Sequence, residues 1–242
     1  MVAEIKLITR GDDLGSAITA NEAIMDCYKN GILKNTSIMV PAPYIEEAAD
    51  MFKGENICFG LHCTITAEWD NLRWGPVLSP EEVPSLVNDR GEFFQTTSEL
   101  KNNEPVLQEI MKELKAQLKK ARELGFNIEY ADMHMGFGQV VDGLEEEFFS
   151  WCLKEDIINF KYFDERLPDA AGEDPVDRFL NQLEKTKPGR QYLVVGHPGY
   201  NNEEMKKLGH QGNPGQEVAV RRNWQRKIFM DERVIDYIKN NN

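Results

Sequence analysis

A chain of 242 residues is long enough to bury one sizeable α/β core. Its 28 Lys and Arg against 41 Asp and Glu give a net charge of −13, which disfavours a nucleic-acid or anionic-membrane partner. No apolar run approaches the ~20 residues of a membrane span, and the N-terminus lacks a signal-peptide pattern. The four cysteines (Cys27, Cys58, Cys63, Cys152) form no Cys-x-x-Cys pair, so the expectation is a cytoplasmic protein with reduced thiols.

In chain order, a short apolar run beginning at Lys6 reads as a buried strand that stops at Gly11, Asp12 and Asp13. Neighbouring side chains on a strand point to opposite faces. The two aspartates can therefore share a ligand only where regular pairing ends, and Gly11 and Gly15 allow the chain to turn there. Thr19 or Asn21 is expected to cap a helix running to about Lys29, stopped by Asn30-Gly31. Residues 36–40 form a second strand, 45–52 a helix, and 57–61 a third strand that runs into His62.

Residues 64–104 break this rhythm. The segment holds Trp69, Trp74, Phe93 and Phe94 among prolines and is too long for a simple connection, which predicts a lid over the site. From 106 to 124, Leu107, Ile110, Leu114 and Leu118 recur at helical spacing, and Gly125 ends the helix. A strand at 128–132 leads to His134, a helix at 144–153 precedes a strand at 157–160, and a helix at 175–183 precedes a strand at 192–196 that lands on His197. The tail from about 216 to 239 reads as one or two helices broken near Asp231.

Strands alternating with helices predict parallel strands and crossover helices in a single domain. Polar residues gather at strand C-termini, the face that carries the active site of an α/β barrel. An open doubly wound sheet is the alternative, although its Gly-x-Gly-x-x-Gly fingerprint is missing after the first strand.

Three of the four histidines (His62, His134, His197) sit at or just past a strand end, and an Asp pair sits at another; His210 lies in a Gly/Asn/Pro loop and reads as surface. Asp132 and His134 share strand parity and can face one axis. Two neutral imidazoles and a carboxylate make a metal triad with positions left open for water and substrate. A second carboxylate can then serve as general base and a third histidine as general acid.

These pieces resemble one family. Gly11-Asp12-Asp13-Leu14-Gly15, Gly60-Leu61-His62, Val83-Pro84-Ser85-Leu86-Val87 with Gly91-Glu92-Phe93, Asp132-Met133-His134 and Gly196-His197-Pro198-Gly199-Tyr200 occur in the order found in the YdjC/ChbG-like carbohydrate deacetylases, relatives of the NodB-type polysaccharide deacetylases. The resemblance implies a distorted (β/α) barrel and one divalent metal, Zn2+ or Mg2+, held by Asp13, His62 and His134. It also implies Asp12 as catalytic base and His197 as the acid that protonates the leaving group. The chain departs from the family at Met135-Gly136-Phe137, where a further histidine is common.

The expected activity is removal of an N-acetyl group from a small sugar, a chitooligosaccharide such as diacetylchitobiose or its phosphate. Trp69, Trp74, Phe94 and Tyr200 are the candidates to stack on sugar rings, and core packing is an equal reading of each. Arg73, Arg90, Arg221 and Arg222 are candidates to meet a phosphate. The competing readings are a metal-dependent sugar isomerase or phosphoesterase, and a non-catalytic carbohydrate-binding protein. The oligomeric state, a homodimer included, is not legible in the sequence.

Overall fold

The structure, a computed structural model, describes residues 4–159 and 165–241. Six strands, β1 (Lys6–Leu14), β2 (Asn35–Ile38), β3 (Cys58–Cys63), β4 (Ile128–Met133), β5 (Ile158–Asn159) and β6 (Gln191–Gly196), pair in the order β5-β4-β3-β2-β1-β6. Every pairing is parallel. Strands one to five stand in sequence, and β6 lies beside β1. That is ring order with an opening between β5 and β6, so the sheet is a curled, incompletely closed (β/α) barrel rather than a doubly wound sheet. A parallel bridge from Glu165 to Tyr192 adds to the free edge of β6. The expected strand at 157–160 is seen as β5, and Phe160 lies outside the described residues.

The helices are α1 (Ile18–Asn30), α2 (Ile45–Met51), α3 (Thr97–Asn102), α4 (Leu107–Glu123), α5 (Leu144–Lys154), α6 (Pro175–Glu184), α7 (Gly215–Met230) and α8 (Glu232–Asn240). The break in the tail falls at Asp231, whose carboxylate caps α8 by accepting from the Arg233 backbone. At α1 neither expected cap is used. Asn21 accepts from the Gly15 backbone instead, and Glu204 reaches across the fold to take the N–H groups of Ile18 and Thr19 at 3.0 Å each. No described helix is long and apolar enough to cross a membrane.

Residues 64–104 are packed along most of their length. Trp74, Val83, Leu86, Phe93 and Leu100 are buried in the main core, and α3 forms near the end of the segment. The anchor is on α4, where the expected apolar stripe carries two buried polar residues. Glu113 accepts from the backbone of Val77 and Leu78, and Gln117 brackets Thr64 by accepting from its N–H and donating to its carbonyl. Arg73 ties the segment to itself through the carbonyls of Ala67 and Phe93. The end at Glu68 and Trp69 is what reaches the barrel mouth.

Candidate metal and catalytic site

The Asp pair is turned by a bulge inside β1. Gly11 pairs with Thr36 and Leu14 with Ile38, so β1 carries one residue more than β2 over this stretch. Asp13 absorbs the extra residue in the left-handed region at φ 67°, a conformation aspartate tolerates at a cost of about 1–2 kcal/mol. The chain does not leave the sheet at the glycines, as the sequence suggested. The bulge alone breaks the two-residue alternation and brings both carboxylates to a shared cavity of about 670 Å³.

Both acids are buried and held by arginines. Arg10, two residues back and on the parity of Asp12, grips it bidentately, with Nε to Oδ1 at 2.7 Å and Nη2 to Oδ2 at 2.9 Å. Arg222, from α7, donates Nη2 to Asp13 Oδ2 at 2.5 Å. Burial alone would raise the pKa of Asp13; Arg222, with His197, His62 and His134 nearby, holds it well below the usual carboxylate range.

His62 stands on β3 directly beside Asp132 on β4 in the parallel register. Neighbours in register project to the same face, so Nδ1 of His62 donates to Asp132 Oδ1 and the ring turns Nε2 toward Asp13. Asp132 is itself fixed by Ser37 Oγ at 2.7 Å and by Arg10 Nη1 at 3.3 Å. The Tyr130 hydroxyl lies 2.9 Å from the same Ser37 oxygen, and its ring occupies space that only a glycine at position 60 leaves open: a Cβ there would lie 2.1 Å from Tyr130 Cε2. Burial pushes Asp132 up, but His62 and Arg10 outweigh it and bring the carboxyl down to about 2. Burial likewise pushes His62 down, and the charges of Asp132 and Asp12 raise it well above the ordinary imidazole value.

His134 follows β4 and hydrogen-bonds through Nε2 to Glu68 Oε2 at 2.9 Å, leaving Nδ1 for the cavity. Three atoms now converge: His62 Nε2 and His134 Nδ1 are 3.1 Å apart, and Asp13 Oδ1 is 3.5 and 3.7 Å from them. Asp13 Oδ1 is buried with no hydrogen-bond partner among the described residues. Each imidazole turns its far nitrogen to a carboxylate, so the near nitrogens of both rings face Asp13 Oδ1, and with no proton on them the three atoms are lone-pair donors aimed at one point. The circle through these atoms has a radius of about 2.0 Å, the length of a metal–imidazole or metal–carboxylate bond. The residues fit a divalent ion. A second group of potential ligands, Asp12, His62 and Asp132, is bridged by the Arg10 guanidinium, which bonds both carboxylates.

His197, just past β6, is half-buried on the cavity wall, with its backbone N–H held by Gln225 Oε1 at 2.7 Å. Burial, with Arg222 and His62 alongside, lowers its pKa against the pull of Asp13 and Asp12. Of the four candidate aromatics the structure brings only Trp69 to the cavity, and it is 5 % exposed, its ring met by the Arg222 guanidinium at 5.6 Å and stacked with His210 at 5.9 Å. Trp74 is buried and donates to the Thr66 carbonyl, Phe94 lines a separate cleft with Arg73, and Tyr200 donates to Asp26 beneath Arg226. The exposed apolar surface of the cavity comes instead from Met135 at 44 % and Val195 at 40 %. Met135 stands in the left-handed region at φ 53°.

Asp132 was legible through its parity with His134, whereas Arg10 was missed although its two-residue spacing from Asp12 was a signal that could have found it. Nothing local marked Glu68, which meets the site from 66 residues away, and Arg222, a candidate to meet a phosphate, is instead engaged with Asp13, 209 residues away.

A family model described as YdjC-like protein matches residues 6–173. A carbohydrate deacetylase of Thermoanaerobacter pseudethanolicus is 28 % identical over 256 residues, covering 98 % of this chain and 95 % of the relative. A carbohydrate deacetylase of Danio rerio is 30 % identical over 158 residues, covering 63 % and 47 %. Among solved structures, an Enterococcus faecalis V583 protein described as a candidate cellobiose-phosphate cleavage protein superposes with a TM-score of 0.76 over 99 % of this chain and 95 % of its own, at 20 % identity, a likeness of fold.

Proposed function

We propose that this chain, which belongs to the family of YdjC-like proteins, is a metal-dependent carbohydrate deacetylase that removes the acetyl group from an N-acetylated sugar. The observation that carries the reading is the convergence of Asp13 Oδ1, His62 Nε2 and His134 Nδ1 on a cavity that also holds Asp12 and His197. Asp13, His62 and His134 would hold the ion. Bound there, a divalent ion supplies Lewis acidity to an acetyl carbonyl and acidifies a water.

The chain's own groups supply the proton traffic. Arg10 holds Asp12 in place and aims it, and each carboxylate oxygen retains a lone pair beyond the one Arg10 uses, so Asp12 can take a proton from the attacking water. His197 delivers a proton to the departing amine, which is otherwise a very poor leaving group. Gln225 fixes the backbone from which that ring projects. Met135, Leu193 and Val195 offer apolar contact to the CH faces of a sugar.

A chitooligosaccharide such as diacetylchitobiose fits a cavity of this size, and Arg166 and Arg221 on its wall suit a phosphorylated form. Arg166 has no ion pair among the described residues, and Arg221 bonds only the neutral Asn213 side chain there. The Arg10 guanidinium between Asp12 and Asp132 argues against a two-metal phosphoesterase. Acetate release from a panel of N-acetylated mono- and disaccharides and their phosphates, before and after chelation, tests the reading. It requires release that chelator abolishes and a divalent ion restores; release indifferent to chelator, or none from any sugar, would sink it.

A further inference from the structure

Arg222 is 5 % exposed, lies outside the span matched by the family model, and is placed against Asp13 by the fold alone. A buried guanidinium carries a heavy desolvation cost, and its Nη1 has no hydrogen-bond partner among the described residues. The contact it does make is one-sided: Nη2 takes Asp13 Oδ2 at 2.5 Å, while Oδ1 faces the two imidazoles. Behind Arg222 stands Trp69, 5.6 Å from the guanidinium carbon. The Trp69 ring stacks in turn on His210 at 5.9 Å and 29°. The backbone secures the arrangement, because Asp70 N–H donates to the Gly209 carbonyl at 2.9 Å, joining the segment that carries Trp69 to the loop that carries His210.

A carboxylate ligand can bind a metal through one oxygen or two. The second mode fills a coordination position that a hydrolase needs for water or substrate. We propose that Arg222 is a positioning residue which, seated on the Trp69–His210 stack, takes Oδ2 of Asp13 out of play and restricts this ligand to a single oxygen. The inference rests on the metal-triad reading above and concerns coordination, whatever the sugar.

The test reads the metal, not turnover. Wild type and the Arg222→Met, Arg222→Lys and His210→Ala variants are loaded with Co2+ for visible spectroscopy and with Mn2+ for water-proton relaxation. In Arg222→Met, Asp13 is free to chelate. The expected result is weaker Co2+ bands, from a higher coordination number, or a loss of Mn2+ relaxivity as an oxygen displaces a bound water. Arg222→Lys retains a cation for Oδ2 and should stay near wild type in both readouts, which separates positioning from mere packing. His210→Ala, which removes the stack and leaves the ion pair, should shift in the direction of Arg222→Met by a smaller amount. If Arg222→Met does not fold, the His210→Ala shift decides the matter. Unchanged bands and relaxivity in every folded variant would overturn the proposal, as would failure of the wild type to bind Co2+ or Mn2+. A changed spectrum in a protein that releases no acetate would refute the deacetylase reading and leave this one standing.

Discussion

Replacing Asp132 with asparagine isolates the charge behind His62. In the folded, metal-free protein Asp132 titrates at about 2 against 3.8 for an ordinary aspartate. At ~1.4 kcal/mol per unit this difference corresponds to about 2 kcal/mol of stability. Because the folded pKa is depressed, that stabilisation is present above 3.8 and disappears as the pH falls toward 2. His62 reports the same contact with the opposite sign. Its folded pKa is raised, so its share is fully present below 6.5 and is lost as the pH climbs through the raised value. The Asp132–His62 contact enters both shifts and is counted once, beside the contact of Arg10 with Asp132, so the stability gap between wild type and Asp132→Asn should plateau at about 2 kcal/mol between pH 4 and 6.5. It should narrow on both sides of that window. Urea melts of chelator-treated protein from pH 2.5 to 9, extrapolated linearly to water, measure it. A gap that stays constant across the whole range would refute the reasoning, because it would mean that the amide disturbs packing rather than charge.

Asp12→Asn should retain the metal and lose roughly 10²–10⁴ in kcat, the worth of a general base, while Asp13→Asn should lose the metal; elemental analysis beside steady-state kinetics separates the two. Gly60→Ala forces a Cβ into the Tyr130 ring and should cost about 1–3 kcal/mol in urea melts, with weakened metal binding as Tyr130, Ser37 and Asp132 shift together. Trp74→Ala should lower stability by about 3–5 kcal/mol as a core deletion. Met135→Ala should leave stability nearly unchanged and raise KM about 4- to 15-fold, the equivalent of one or two buried methylene groups; a large KM effect at Trp74 with none at Met135 would reverse this assignment.

The order of strands and helices was legible in the sequence because each depends on local signals: an apolar run, a helical period, a stop at glycine or proline. So were the strand ends that carry Asp12, Asp13, His62, His134 and His197, which the barrel gathers at one mouth because parallel strands present all their C-termini to the same side. Tertiary structure decided what those residues do there. The bulge at Asp13 depends on the count of residues in β2 beside it, and the bond from Asp132 to His62 depends on the register of β3 with β4. The 64–104 segment read as a lid because it is too long for a simple connection and rich in aromatics, and in the structure buried Glu113 and Gln117 on α4 give its backbone the partners that let much of it pack. Glu68 left no trace in sequence spacing, and Arg222, expected at a phosphate, was not expected at Asp13. A carboxylate and a guanidinium are ordinary surface residues until a fold brings them against buried groups of opposite need, and that pairing is a property of distance in space.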